Sequence, residues 1–139
     1  MFLVDTSIWI EVFRRPPGLD LEAVVPFEDI ATCLPVIQEV LQGFRDEKAL
    51  QIARESLFSL PVIESPLRSE RFIEAAQIYR AARVQGVTVR SSVDCLIAAC
   101  ALQNGLTVLH CDRDFSNLAR VVPLKVREIP RGSPPEALS

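Results

Sequence analysis

Short apolar runs alternate with longer amphipathic stretches along the whole chain. Phe2 to Val4 is too short for a helix and is predicted as a strand. Residues 6–15 then place Ile8, Trp9, Val12 and Phe13 on one helical face, and "PPG" at 16–18 stops the helix. "DIATC" (29–33) reads as a second strand. A helix follows over 34–44, with Pro35 suited to its first turn and an apolar stripe of Val36, Ile37, Val40, Leu41 and Phe44. Residues 46–60 form another amphipathic helix, and "PVIE" (61–64) a third strand. Residues 68–85 make a long helix carrying Phe72, Ala75, Ala76 and Tyr79, closed by Gly86. The stretch 91–105 is apolar around most of its circumference, which predicts a buried central helix. "LTVLH" (106–110) is a strand, 114–122 a short helix, and "LKVREI" (124–129) the last strand.

Short Val-, Ile- and Leu-rich strands separated by helices predict an α/β fold. The expectation is one domain over residues 1–129, with a central parallel sheet of four to five strands and helices on both faces. Residues 130–139 are expected to form a flexible tail. A length of 139 residues suits a single domain, and no repeat or linker interrupts it. No apolar run approaches the ~20 residues that span a bilayer, and no basic leader precedes the first strand, so no membrane role and a cytoplasmic setting are expected. The four cysteines form no C-x-x-C pair and His110 is the lone histidine, so no zinc pattern exists. They read as reduced thiols, with Cys95 and Cys100 acting as small core residues.

In parallel sheets, ligands bind beyond the carboxyl ends of strands, and it is there that acidic residues gather. Asp5 ends the first strand with no neighbouring Lys or Arg. By itself it reads slightly better as a helix cap than as a ligand, with Thr6 or Ser7 sharing the capping. Glu39 lies outside the apolar stripe of its helix, where a lone Glu is usually solvated. Asp94 is more telling, because it is the one charged residue between Val93 and Leu102 in an otherwise apolar helix. Burial there carries a large desolvation penalty, and the helix dipole returns only roughly 0.3–1 kcal/mol. Asp112 and Asp114 follow the strand "LTVLH" in "HCDRDF". Asp114 suits the N-cap of the next helix, Asp112 less so, and Arg113 between them could pair with either. Carboxylates without His or Cys form a hard-ligand set suited to Mg²⁺ or Mn²⁺.

Net charge is −3, which on its face disfavours a polyanionic partner. With Asp5, Glu39, Asp94, Asp112 and Asp114 set aside, however, 13 of the 18 acids remain against 15 basic residues. A cation on the acidic set therefore leaves the rest of the surface compatible with nucleic acid. Other phosphate machinery is missing: there is no G-x-x-x-x-G-K-[ST] loop and no G-x-G-x-x-G after a strand. A serine-hydrolase triad is hard to assemble from one histidine without G-x-S-x-G.

Four segments in order carry a family resemblance. "VDTSIWI", the "Q-E-V" of the second helix, "SSVDCLIAAC" and "VLHCDRDF" together resemble the PIN-domain ribonucleases, and within these the VapC-type toxins of bacterial toxin–antitoxin pairs. The resemblance runs from residue 2 to about residue 129. It implies that Asp5, Glu39, Asp94 and Asp112 converge on Mg²⁺ or Mn²⁺, with Asp114 in support and Thr6 and Ser92 orienting ligands or water. The activity it implies is metal-dependent endonucleolytic hydrolysis of RNA, leaving a 5′-phosphate and a 3′-hydroxyl. It further implies a homodimer and a cognate VapB-like antitoxin wrapped over the helices. Trp9, Phe13, Phe44 and Phe58 are available to core, dimer and antitoxin surfaces, with core packing the default. Many relatives carry Thr where His110 stands. Candidates for phosphate contacts are Arg14, Arg15, Arg45, Lys48, Arg90 and Arg113.

Two other readings compete. A receiver-like signalling domain also binds Mg²⁺ through an acidic cluster, but it wants paired acids after the first strand and a Lys beyond a late one. Here Asp5 stands alone and Lys125 lies inside the last predicted strand. A non-catalytic α/β binding module is the third reading, against which the full acidic set speaks.

Overall fold

The computed structural model describes residues 1–14 and 18–130. Along the chain run β1 (Phe2–Val4), α1 (Thr6–Phe13), β2 (Ile30–Cys33), α2 (Leu34–Gln42), α3 (Glu47–Phe58) and β3 (Val62–Ile63). They are followed by α4 (Ser69–Val84), α5 (Ser92–Asn104), β4 (Thr107–His110), α6 (Arg113–Leu118) and β5 (Val126–Glu128). All pairings are parallel, and the sheet order is β3-β2-β1-β4-β5. Leu3 registers with Ala31 on one side and with Val108 on the other. The chain therefore lays strands outward from β1 in one direction, then returns to β1's other edge with β4. The reversal puts a topological switch between β1 and β4, where an α/β sheet opens a crevice beyond its carboxyl ends.

The apolar runs behave as a covered sheet requires. Leu3, Val4, Ile30, Ala31, Cys33, Val108 and Leu109 are buried, so neither face of the three inner strands meets water. Burying each Leu or Ile contributes roughly 2 kcal/mol, which is what fixes the register. α5 is the central helix the pattern predicts. Cys95, Ile97, Ala98, Ala99, Cys100 and Ala101 are all buried, and it packs against α4, α2, α6 and β4. Small side chains at 98–101 let those neighbours approach closely. Gly105 ends the helix in the left-handed conformation (φ +63°) that a side chain would disfavour. Cys33, Cys95, Cys100 and Cys111 are all free thiols.

The differences from expectation sit at element ends. Residues 27–29 form a 3₁₀ turn, so the second strand starts at Ile30, and a further 3₁₀ turn covers Leu21–Ala23. The helix expected over 114–122 begins at Arg113 and ends at Leu118. The chain continues in turns from Ala119 to Val121, and Pro123 keeps Val122 out of helical conformation. The last strand shrinks to Val126–Glu128. The "PP" of the expected helix stop and the expected tail from residue 131 onward lie outside the described residues.

Candidate active site

β1 delivers Asp5 to the switch point, and its two carboxylate oxygens have different fates. Oδ2 accepts hydrogen bonds from the Ser7 backbone N–H (3.0 Å) and the Ser7 hydroxyl (2.6 Å), capping α1. Oδ1 is buried and has no partner. The Asp5 N–H donates to the Leu109 carbonyl (2.9 Å) and the Cys111 N–H to Ser7 Oγ (3.1 Å), stitching the end of β1 to the end of β4. Burial raises the Asp5 pKa in spite of the Ser7 hydrogen bonds. Asp5 is thus both the cap and an open acceptor.

Glu39 comes from the outward face of α2, half-buried rather than solvated, and accepts a hydrogen bond from the Thr6 hydroxyl at 2.9 Å. Asp94 projects from the first turn of α5 and is 6% exposed. Among the described residues no salt bridge reaches it. Burial, followed by the charges of Asp5, Asp112, Asp114 and Glu39, pushes its pKa up to about 8. The carboxyl that looked costly in sequence is indeed buried, and the raised pKa is how the metal-free fold avoids burying its charge.

The capping roles in "HCDRDF" are reversed from expectation. Asp112, not Asp114, is the N-cap of α6, its Oδ1 accepting from the Asp114 N–H at 3.0 Å. Asp114 is buried in the first turn. Arg113 is exposed and pairs with neither acid; Arg90 pairs with both. Its Nη2 lies 2.8 Å from Asp112 Oδ1, its Nε 3.3 Å from Asp114 Oδ1, and its backbone N–H donates to Asp114 Oδ2 at 3.3 Å. The helix starts one residue earlier than predicted, and this leaves Arg113 exposed at the cavity wall and away from both acids. The negative charge of Asp114, then that of Asp112, raises the Arg90 pKa.

These residues line one cavity of about 610 Å³. Within it, ligand oxygens of Asp5, Glu39 and Asp94 lie within 4.8 Å of one another, and so do those of Asp94, Asp112 and Asp114. An all-oxygen set with a buried, unpartnered acceptor fits a hard divalent cation. Of the residues singled out for phosphate, Arg90 and Arg113 line the cavity. Arg14 instead pairs with Glu11 at 2.8 Å, Arg45 and Lys48 are exposed on other surfaces, and Arg15 lies outside the described residues. Ser91 lines the cavity where Ser92 was expected, and Ser92 instead faces an adjacent groove beside Tyr79 and Leu96. Neighbouring serines at a helix start point in different directions, and sequence does not tell which turns inward. Ile10 and Cys111 also line the cavity, and no sequence signal marked either.

His110 is fully buried against Phe115, with ring centroids 5.5 Å apart. Its Nδ1 accepts the Asp112 N–H (3.2 Å), and burial lowers its pKa, so it is a neutral strut for the acid loop, out of a substrate's reach. Trp9 is buried and stacks on Phe13 at 5.8 Å; Phe13 in turn meets Phe44 edge-on, while Phe58 is exposed.

Carboxylates gather beyond the carboxyl ends of this parallel α/β sheet in groups that could hold a metal ion, and residues 2–121 match the PIN domain. The chain belongs to the PIN-domain family. It is 38% identical over 130 residues to VapC ribonuclease Mb1587 of Mycobacterium bovis, covering 90% of this chain and 96% of that protein. Ribonuclease VapC11 of Mycobacterium tuberculosis matches to the same extent. Among solved structures, the DNA-bound VapBC from Salmonella typhimurium superposes with a TM-score of 0.71 at 20% identity, over 91% of this chain and 96% of that one. VapBC-5 from Mycobacterium tuberculosis gives 0.68 at 22% identity, over 91% and 97%. These two likenesses carry the fold.

Proposed function

We propose that this chain is an Mg²⁺- or Mn²⁺-dependent endoribonuclease, the toxin of a type II toxin–antitoxin pair. The observation that carries the reading is the pair of buried carboxylates without a cation: Asp5 with its orphaned Oδ1, and Asp94 with no salt bridge among the described residues. Curated relatives named as VapC ribonucleases support the substrate class.

Asp5, Glu39 and Asp94 would hold the cation, with Asp112 and Asp114, both bound to Arg90, in support beside it. When bound, a divalent cation lowers the pKa of coordinated water and offsets charge developing on a phosphoryl group. The chain's own residues do the rest. Ser7 fixes the orientation of Asp5, and Thr6 that of Glu39. Asp94, whose pKa the metal-free cavity raises, gives up its proton to take the cation. Arg113, exposed at the cavity wall, can meet a phosphate without reading bases.

A VapB-type antitoxin has an apolar pocket for an anchoring side chain available beside the site. Ile10, which lines the acidic cavity, also lines an apolar cleft of about 140 Å³ with Trp9, Phe13, Val40, Gly43 and Phe44. The resemblance carries a homodimer as well, and Phe72, Ile73 and Val84 of α4 offer a second copy exposed apolar surface. Among the described residues no helix is long and apolar enough to cross a membrane.

The test is incubation of the protein with total cellular RNA in Mg²⁺ or Mn²⁺, in EDTA, and as Asp94→Asn. Cleavage in the first arm and a loss of about a hundredfold or more in the other two is expected. Undiminished cleavage in EDTA would overturn the reading. Acid-labile phosphate appearing on an aspartate from a small phosphodonor would instead support the receiver-like alternative.

A further inference from the structure

The acidic cavity holds two overlapping carboxylate groups that share Asp94, and they are not equivalent. In the group of Asp5, Glu39 and Asp94, no salt bridge is made among the described residues: Asp5 Oδ1 is orphaned, and the hydrogen bonds to Asp5 and Glu39 come from neutral donors, Ser7 and Thr6. In the group of Asp94, Asp112 and Asp114, a cation is already present. The Arg90 guanidinium spans Asp112 Oδ1 (2.8 Å) and Asp114 Oδ1 (3.3 Å), and the Arg90 N–H takes Asp114 Oδ2 (3.3 Å).

We propose that Arg90 is a built-in cation for this second group, so that the cavity takes one divalent ion, on the side of Asp5, Glu39 and Asp94. The inference rests on the metal-nuclease reading above and says how that site is loaded. A divalent ion seated among Asp94, Asp112 and Asp114 would compete with Arg90 and the α6 backbone for Asp112 Oδ1 and with Arg90 for both oxygens of Asp114. It would also need to sit within a few ångströms of a guanidinium that never deprotonates. Chain geometry holds Arg90 there. Its backbone N–H is bonded to Asp114, and its position is four residues before Asp94, just ahead of the N-cap of α5. Arg113 lines the same cavity but has no ion pair among the described residues, so it supplies charge to the region without closing the second group. Arg90 is thus a positioning residue. It orients Asp112 and Asp114 and leaves the unpaired acids to the metal.

Counting Mn²⁺ ions bound per chain, by calorimetry and by electron paramagnetic resonance, tests this on the native protein, Arg90→Gln and Arg113→Gln. Both variants remove one positive charge from the same cavity, and Arg90 is an exposed side chain whose loss leaves the core intact. The native protein and Arg113→Gln are expected to bind one ion. Arg90→Gln is expected to bind two, with the spin–spin broadening of a close Mn²⁺ pair. Two ions in the native protein, or one in Arg90→Gln, would overturn the assignment while leaving the metal-nuclease reading standing. No ion in any of the three would overturn both.

Discussion

Arg71 and Asp94 are nearly equally buried, at 8% and 6% exposure, yet the fold treats them in opposite ways. Arg71, on α4, is fully engaged: its Nε donates to Glu64 Oε1 at 2.8 Å, and its Nη1 reaches Glu74 and Gln103 Oε1. Glu64 is held in turn by Asn104 at the end of α5, whose amide also donates to the Cys100 carbonyl. This network ties the segment after β3 to two helices, and every charge in it has a partner. Asp94 sits among four other carboxylates with no cation of its own. A buried charge with its partners supplied serves the fold, whereas one deprived of them costs stability that only a ligand returns.

The contrast predicts opposite responses to neutralisation. Arg71→Met strips Glu64 and Glu74 of their counter-ion in a part-buried setting, and the melting temperature should fall by ~5 °C or more. Asp94→Asn removes a carboxyl that must take up a proton to be buried in a crowded acidic cavity, and at neutral pH the metal-free protein should melt ~2 °C or more higher while losing its stabilisation by Mn²⁺. Thermal melts of both variants with and without Mn²⁺ check this. A fall of similar size in both would erase the distinction.

pH sharpens the same comparison. The Asp94 pKa stands at about 8 in the folded protein, raised first by burial, against 3.8 in its unperturbed state. The folded state therefore binds a proton that the unfolded chain has already released. Its stability falls as pH rises from about 4 to about 8 and levels off above that, with a slope of at most about 1.4 kcal/mol per pH unit. Melts of the metal-free protein between pH 6 and 9 should show this decline. Asp94→Asn should flatten it, and stabilisation by Mn²⁺ should be larger at pH 8.5 than at pH 6. An equal Mn²⁺ effect at both values would mean that Asp94 is not the proton-coupled ligand.

The parts of this site that sequence revealed are those whose cost is local. Asp94 announced itself because a lone charge in an apolar helix has few cheap explanations, and Asp5 because it ends a strand. The α/β alternation and the central helix followed from periodicity, which packing then obeyed. What sequence left open depends on direction. Whether Asp112 or Asp114 caps α6 turns on one residue of helix start, and that same residue decides whether Arg113 reaches the acids. Arg90 is 22 positions away from Asp112 in the chain, so its pairing comes from the approach of the α5 and α6 starts and from no local pattern. Ser91 and Ser92 were separable only once the first turn of α5 was placed. Local cost is legible; long-range partner choice is not.

The smallest effect concerns Ser7, which stands between the two kinds of buried charge by giving Asp5 a neutral partner. Its hydroxyl donates to Asp5 Oδ2 and accepts from the Cys111 N–H, so it sets the angle at which Oδ1 faces the cavity and joins β1 to β4. Ser7→Ala keeps the backbone cap from the Ser7 N–H but loses both hydroxyl bonds. The expected cost is about 1 kcal/mol of stability and about tenfold in Mn²⁺ affinity, because an oriented ligand becomes a loose one. Calorimetric titration with Mn²⁺ separates the two effects. If affinity holds while stability falls, Ser7 serves the helix cap alone, and the orientation of Asp5 is set by β1 itself.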